Sequence, residues 1–224
     1  RVPEQNVYER LQKVANRIPD RLAFRSLMTG DPAEVPRDVT YRELIRKTTQ
    51  AANLFISLGI GPQDVVSLLI PLVPESYFAL YGAMVAGIAN PLNHLLEPLH
   101  LRSILREAST SVLVAASDSL APEIWSRVEP IQASSPNLRA VLRIGGTGAP
   151  PPGVIDFESA LATQPAEYLI APRPSTQDTV AALFHTGGTT GRGRPAAALA
   201  VPRTGPGRGA GCQGPRGAAV RGTG

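Results

Sequence analysis

Val180-Ala181-Ala182-Leu183-Phe184-His185-Thr186-Gly187-Gly188-Thr189-Thr190-Gly191 is the stretch on which the reading of this chain turns. Five apolar residues make a run of strand length. After His185 come six residues that are only Thr or Gly. Such a loop presents several backbone N–H groups and the hydroxyls of Thr186, Thr189 and Thr190 with almost no side-chain bulk in the way. A polyphosphate needs that combination: close backbone approach, many donors, and Gly wherever φ must be positive.

Working back from the loop, apolar runs of strand length alternate with stretches of helical period. Val7, Leu11, Val14 and Ile18 share one face of a helix ended by Pro19, and residues 22–27 follow as a short strand. Residues 31–38, rich in Pro and acid, read as a loop. Thr40 and Glu43 form a capping box opening a helix that runs to Leu58, with Gly59 as its stop. Residues 64–70 are nearly all apolar, as in a strand covered on both faces. Pro74 and Glu75 open a helix to Ala86, and Asn90-Pro91-Leu92-Asn93 is a turn leaving a short strand. Then follow a helix over 98–108, a strand over 111–115, a helix over 120–133, a strand over 138–144, a Gly/Pro loop over 145–153, a short helix over 156–162, an irregular stretch over 165–177 and the strand 179–184. This alternation predicts an α/β fold, a mostly parallel sheet with flanking helices.

Beyond Gly191 the text changes. From Arg192 to Gly224, 26 of 33 residues are Gly, Ala, Pro or Arg, with no acidic and no aromatic residue among them. Too little apolar surface is present to offset the chain entropy, so a disordered tail is expected over 192–224, after an incomplete domain over 1–191. These four residue types are those encoded by codons with G or C in the first two positions. A frameshift near codons 191–194 of GC-rich DNA accounts for the switch, and a genuine basic tail is the other reading. The net charge of +4 belongs to this tail: of 22 basic residues it holds 6, leaving 16 against all 18 acidic residues in residues 1–191. A nucleic-acid partner is therefore not expected of the body. The single Cys, Cys212, excludes an internal disulfide, and a reducing, cytoplasmic setting is expected. Neither apolar region, 65–73 or 78–92, reaches the roughly 20 residues of a membrane span.

Other glycine patterns are discarded. Gly188 to Gly193-Arg194-Pro195 approaches the NTPase phosphate loop but has Arg for Lys and Pro where a hydroxyl is needed; Gly209, Gly211 and Gly214 have dinucleotide-loop spacing but follow no strand. Residues 186–191 instead resemble the phosphate-binding signature of the adenylate-forming superfamily: Ser/Thr, Ser/Gly, Gly, Ser/Thr, Thr, Gly, any residue, Pro, Lys. That superfamily includes acyl-CoA synthetases, peptide-synthetase adenylation domains and firefly luciferase. Thr40-Tyr41-Arg42-Glu43-Leu44 is similar to its Thr-Tyr helix start. Leu58-Gly59 with Gly61 and Asp64-Val65 is similar to its glycine turn and strand. Pro74, Gly82-Ala83, Ala86-Gly87 and Pro91-Leu92-Asn93 are similar to its next segment. The order and spacing match over about residues 3–191.

The resemblance implies part of the N-terminal domain of the acyl-CoA synthetase/luciferase-like fold, and a parent enzyme that is an ATP- and magnesium-dependent carboxylic acid:coenzyme A ligase. In that scheme Thr186, Gly187, Gly188, Thr189, Thr190 and Gly191 cradle the phosphates of ATP. An adenylation domain loading a carrier protein, and a non-catalytic remnant, are the alternatives. Gly193 and Arg194 stand where the pattern has Pro and Lys, and the two Lys residues, Lys13 and Lys47, lie far upstream on helix faces. No catalytic residue and no metal ligand is assigned, and as a 224-residue fragment the chain is expected to be inactive and to fold poorly, its sheet cut after the loop strand. His185 is read either as a group near the acyl site or phosphates, or as a strand-end histidine with a structural hydrogen bond. His94, His100 and Trp125 are read as structural.

Overall fold

A computed structural model describes residues 6–28, 30–31, 33–172, 179–185 and, for the backbone, 198–202. The chain opens with α1 (Val7–Arg17), then β1 (Leu22–Ser26) and β2 (Arg37–Thr40), an antiparallel pair. Next come α2 (Tyr41–Ser57), β3 (Val65–Leu69), α3 (Pro74–Ala86), β4 (Ile88–Pro91), α4 (Pro98–Glu107) and β5 (Thr110–Ala116). The short helices α5 (Pro122–Trp125) and α6 (Val128–Ala133) lead to β6 (Ala140–Ile144), β7 (Val154–Asp156), α7 (Phe157–Ala162), β8 (Val180–His185) and β9 (Ala198–Pro202). Seven strands form one sheet in the order β7-β6-β5-β3-β4-β8-β9, parallel except for the β8–β9 pair.

Side chains alternate across this sheet, and each face has its own core. Val66, Leu68, Val112, Val114, Leu142 and Ile144 pack under Ala51, Leu54 and Phe55 of α2, Ala79 and Ala83 of α3, and Phe157 of α7. Leu69, Leu113, Ala115 and Val141 point the other way, against Leu101 and Leu105 of α4, Ile124 of α5 and Ile131 of α6. Central strands covered on both sides must be apolar throughout, which is why β3 and β5 are buried at every position.

The glycines of the family-like segments have mechanical reasons. Gly82 is where α3 crosses α2: a Cβ there would lie 2.5 Å from Ala51 Cβ and 2.9 Å from the Ala52 nitrogen. Gly59 ends α2 at φ +80°, a conformation other residues adopt only under strain. Asp64, at the entry to β3, ties three segments together. It accepts from the Gly61 N–H at 2.6 Å, from the Ser111 hydroxyl at 3.2 Å and from Arg139 at 2.9 Å. Burial opposes its ionisation, but the Gly61 and Arg139 bonds outweigh that and hold its carboxyl below the usual range.

The structure departs from the sequence reading in four places. The loop expected over 31–38 ends in β2, where Asp38 pairs with Arg25 through two contacts of 2.6 and 2.7 Å. The single helix expected over 120–133 is two, broken at Ser126 and Arg127. Pro130 would interrupt a continuous helix, but as the third residue of α6 its missing N–H has no intrahelical partner to lose. Residues 154–156, lying between the loop expected over 145–153 and the helix expected from 156, form the edge strand β7. Within the tail read as disordered, residues 198–202 pair with β8 as β9. They include Ala198-Leu199-Ala200-Val201, the most apolar run of the tail, and their ladder satisfies the open edge of β8. The rest of the tail lies outside the described residues.

Candidate functional site

In an open parallel sheet, ligands bind beyond the carboxyl ends of neighbouring strands whose onward connections leave in opposite directions. This sheet has two such places. At one, β3 leads through α3 toward β4 while β5 leads through α5 and α6 toward β6. At the other, β4 leads back through α4 to β5 while β8 leads outward to β9. Beyond the first, the chain leaving β5 is tied to the end of β6: the Ser117 N–H donates to the Ile144 carbonyl at 2.9 Å, and the Ser117 hydroxyl accepts from the Leu120 N–H at 3.2 Å. The second is where the Thr/Gly run begins, directly after His185.

Residues Thr186, Gly187, Gly188, Thr189, Thr190 and Gly191 lie outside the described residues, as do the competing patterns at Gly193-Arg194-Pro195 and at Gly209, Gly211 and Gly214. What the structure defines is β8, which ends at His185, and the loop after β4. Opposite β8, the loop after β4 is fixed by Arg127, whose Nη1 donates to the His94 carbonyl at 2.7 Å and the Leu96 carbonyl at 3.0 Å. His94 thus serves through its backbone, and His100 is exposed on α4. No group of three metal-ligating side chains exists among the described residues. Trp125 packs against the α4–α6 core, as its structural reading requires. Lys13 is exposed on α1, and Lys47 is half-buried on α2.

His185 is half-buried, and its Nε2 lies 2.7 Å from Asn90 Oδ1. The Asn90 amide nitrogen donates to Ser67 Oγ at 2.8 Å, and Ser67 Oγ lies 2.8 Å from Thr110 Oγ1. Asn90 and Ser67 are fully buried and Thr110 nearly so. A line of polar side chains therefore crosses β8, β4, β3 and β5 inside an apolar sheet. Burial pushes the His185 imidazole below its ordinary pKa, with Glu107 opposing weakly, so the ring is neutral at pH 7. Sequence reading placed His185 at the strand end but missed its partners; Ser67 and Asn90, polar residues in otherwise buried apolar strands, were the available signal.

The model of the AMP-binding enzyme family matches residues 11–196, most of the chain and nearly all of its described part. This chain belongs to the AMP-binding enzyme family. It is 32% identical over 191 residues to a marinolic acid–CoA ligase of Pseudoalteromonas sp. (strain SANK 73390), covering 85% of this chain and 29% of that protein. It is 33% identical over 154 residues to a crotonobetaine/carnitine–CoA ligase of Salmonella arizonae, covering 68% of this chain and 29% of that one. Among solved structures, an acetoacetyl-CoA synthetase from Streptomyces lividans superposes with a TM-score of 0.74 at 24% identity, over 89% of this chain and 30% of that chain. An anthranilate–CoA ligase solved with anthranoyl-AMP gives 0.71, also at 24% identity, over 89% of this chain and 35% of its own. The AMP-binding chain thus has the acyl-CoA synthetase-like fold and spans about three-tenths of the length of these curated relatives. Among its described residues no helix is long and apolar enough to cross a membrane.

Proposed function

We propose that this chain is the N-terminal part of an ATP-dependent carboxylic acid:CoA ligase, and that residues 186–191 receive the phosphates of ATP. The observation that carries the reading is topological. β8, paired parallel to β4 and antiparallel to the edge strand β9, ends at the β4/β8 crevice, where opposite connections open a space, and residue 186 follows its last residue in sequence. Backbone N–H groups and the hydroxyls of Thr186, Thr189 and Thr190 supply donors without cationic side chains.

In the full-length ligase a substrate carboxylate oxygen attacks the α-phosphorus of ATP. The bond to the β-phosphate oxygen breaks, and pyrophosphate leaves. The thiol of coenzyme A then attacks the acyl carbon, forming the thioester and releasing AMP. Holding the leaving pyrophosphate is a positioning and charge-stabilising task. Magnesium would arrive with ATP as its counter-ion; with no ligand cluster among the described residues, no protein ligand to it is assigned. Gly193 and Arg194 stand where the family's pattern has Pro and Lys, and the chain spans 29% of the length of these two relatives.

Equilibrium dialysis of the chain against Mg·ATP tests the loop. Saturable binding in the wild type that disappears in Gly188→Val, with tripolyphosphate competing, is the expected result. Absence of saturable binding, or equal binding by the variant, overturns the assignment.

A further inference from the structure

Building on the phosphate-loop reading, we infer that His185 is a positioning residue for residues 186–191: its side chain restores a strand-to-strand tie that Pro91 removes. The Ile88 N–H donates to the Asp64 carbonyl at 2.9 Å and the Leu92 N–H to the Leu68 carbonyl at 3.0 Å. Even-numbered residues of β4 therefore turn their amides toward β3, and residues 89 and 91 face β8. Ala89 pairs with Ala182. Two residues on, where β8 needs its next donor, Pro91 has no N–H. The β4–β8 ladder loses a rung just before β8 hands the chain to Thr186.

The His185–Asn90 bond stands at this gap. Its polarity is forced along the line of partners. The Asn90 amide nitrogen is committed to Ser67 Oγ, so Asn90 Oδ1 must accept, and His185 must carry its proton on Nε2. Ser67 Oγ, accepting from Asn90, also lies 2.8 Å from Thr110 Oγ1, a pair in which either hydroxyl can donate. The two donors whose direction is set, His185 and Asn90, point the same way, from β8 across β4 to β3. The strand end is thereby anchored to the centre of the sheet through side chains that are themselves buried and immobilised. His185 Nδ1 is left as a bare acceptor, buried and without a hydrogen-bond partner among the described residues.

The full chain is compared with His185→Leu, which removes the tie, and His185→Gln, whose amide nitrogen reaches the same acceptor. Hydrogen exchange of amides in residues 180–191 and affinity for Mg·ATP are the two readouts, with circular dichroism checking the fold. The Leu variant should exchange faster and bind Mg·ATP about fivefold more weakly, the worth of one neutral hydrogen bond; the Gln variant should restore both. Nitrogen-15 spectra of the wild type should show His185 as the neutral Nε2–H tautomer at pH 7. Unchanged exchange in a folded His185→Leu, or an Nδ1–H tautomer, overturns the inference. If the wild type binds no Mg·ATP, the phosphate-loop reading falls, while exchange and tautomer still decide the tie. If the Leu variant does not fold, the Gln variant and the tautomer decide it.

Discussion

Replacing Gly82 by Ala sets two opposing effects against each other, and the packing of α2 on α3 decides the sign. Ala is favoured over Gly inside a helix by about 1 kcal/mol, and Gly82 lies well within α3. Were propensity the whole story, the substitution would stabilise. The new methyl, however, would sit 2.5 Å from Ala51 Cβ and 2.9 Å from both the Ala51 carbonyl carbon and the Ala52 nitrogen. Carbon pairs settle at about 3.5–4.0 Å, so the helices must part by about 1 Å. Two of the three obstructing atoms are backbone and cannot rotate aside. Separation would loosen Ala51, Leu54 and Phe55 against Ala79, Ala83 and Ala86, all in one core cluster. Overpacking of this kind costs about 1–3 kcal/mol, and the backbone obstruction places this site near the upper end. The expected net effect is a loss of about 2 kcal/mol. With a urea slope of about 2 kcal/mol/M, the midpoint should fall by about 1 M at unchanged slope. A midpoint equal to or above that of the wild type would refute the close-packing account of this glycine.

Two further predictions concern ties between distant segments. Asp64 is held below its ordinary pKa, although burial alone would raise it, by the bonds from Gly61 and Arg139; such a group stabilises the fold above its unfolded pKa of about 4, and that contribution is lost as the pH falls through its folded value. Urea titrations at stepped pH should therefore show Asp64→Asn less stable than the wild type at pH 7, with the gap closing toward pH 3. Glu158, raised by burial, titrates in the opposite sense in both proteins and cancels in the comparison; a pH-independent gap would count against the assignment. Asn53, fully buried in α2, donates to the carbonyls of Pro165 and Tyr168, both at 2.8 Å, and accepts from the Ile170 N–H at 2.9 Å. At about 1 kcal/mol per bond, Asn53→Ala should lose about 3 kcal/mol and speed proteolytic cleavage within residues 164–172, and unaltered cleavage there would disprove the clamp.

The local grammar of the elements was legible without coordinates because it is written in short-range chemistry. The Thr40 side chain does accept from the Glu43 N–H, at 3.2 Å, and α2 does stop at Gly59. Pro74 opens α3, and the apolar run over residues 64–70 is β3 buried at every position. The expectation of a phosphate site at residues 186–191 likewise comes from a dozen consecutive residues, and those residues lie outside the described ones. The failures have a common cause as well. Residues 37–38 are charged, and β2 exists because β1 offers an edge to pair with and Val39 is buried; residues 154–156 become β7 only because β6 offers an edge. Strand order is likewise absent from any local pattern. That β4 and β8 are neighbours, with Ala89 paired to Ala182, is a long-range pairing, and it alone creates the crevice. The same adjacency turns Asn90, read as a turn residue, into the partner of His185. Capping, period and glycine placement act over three or four residues and survive in one dimension. A site assembled from Ser67, Asn90, Thr110 and His185 depends on long-range burial, which only the folded sheet supplies.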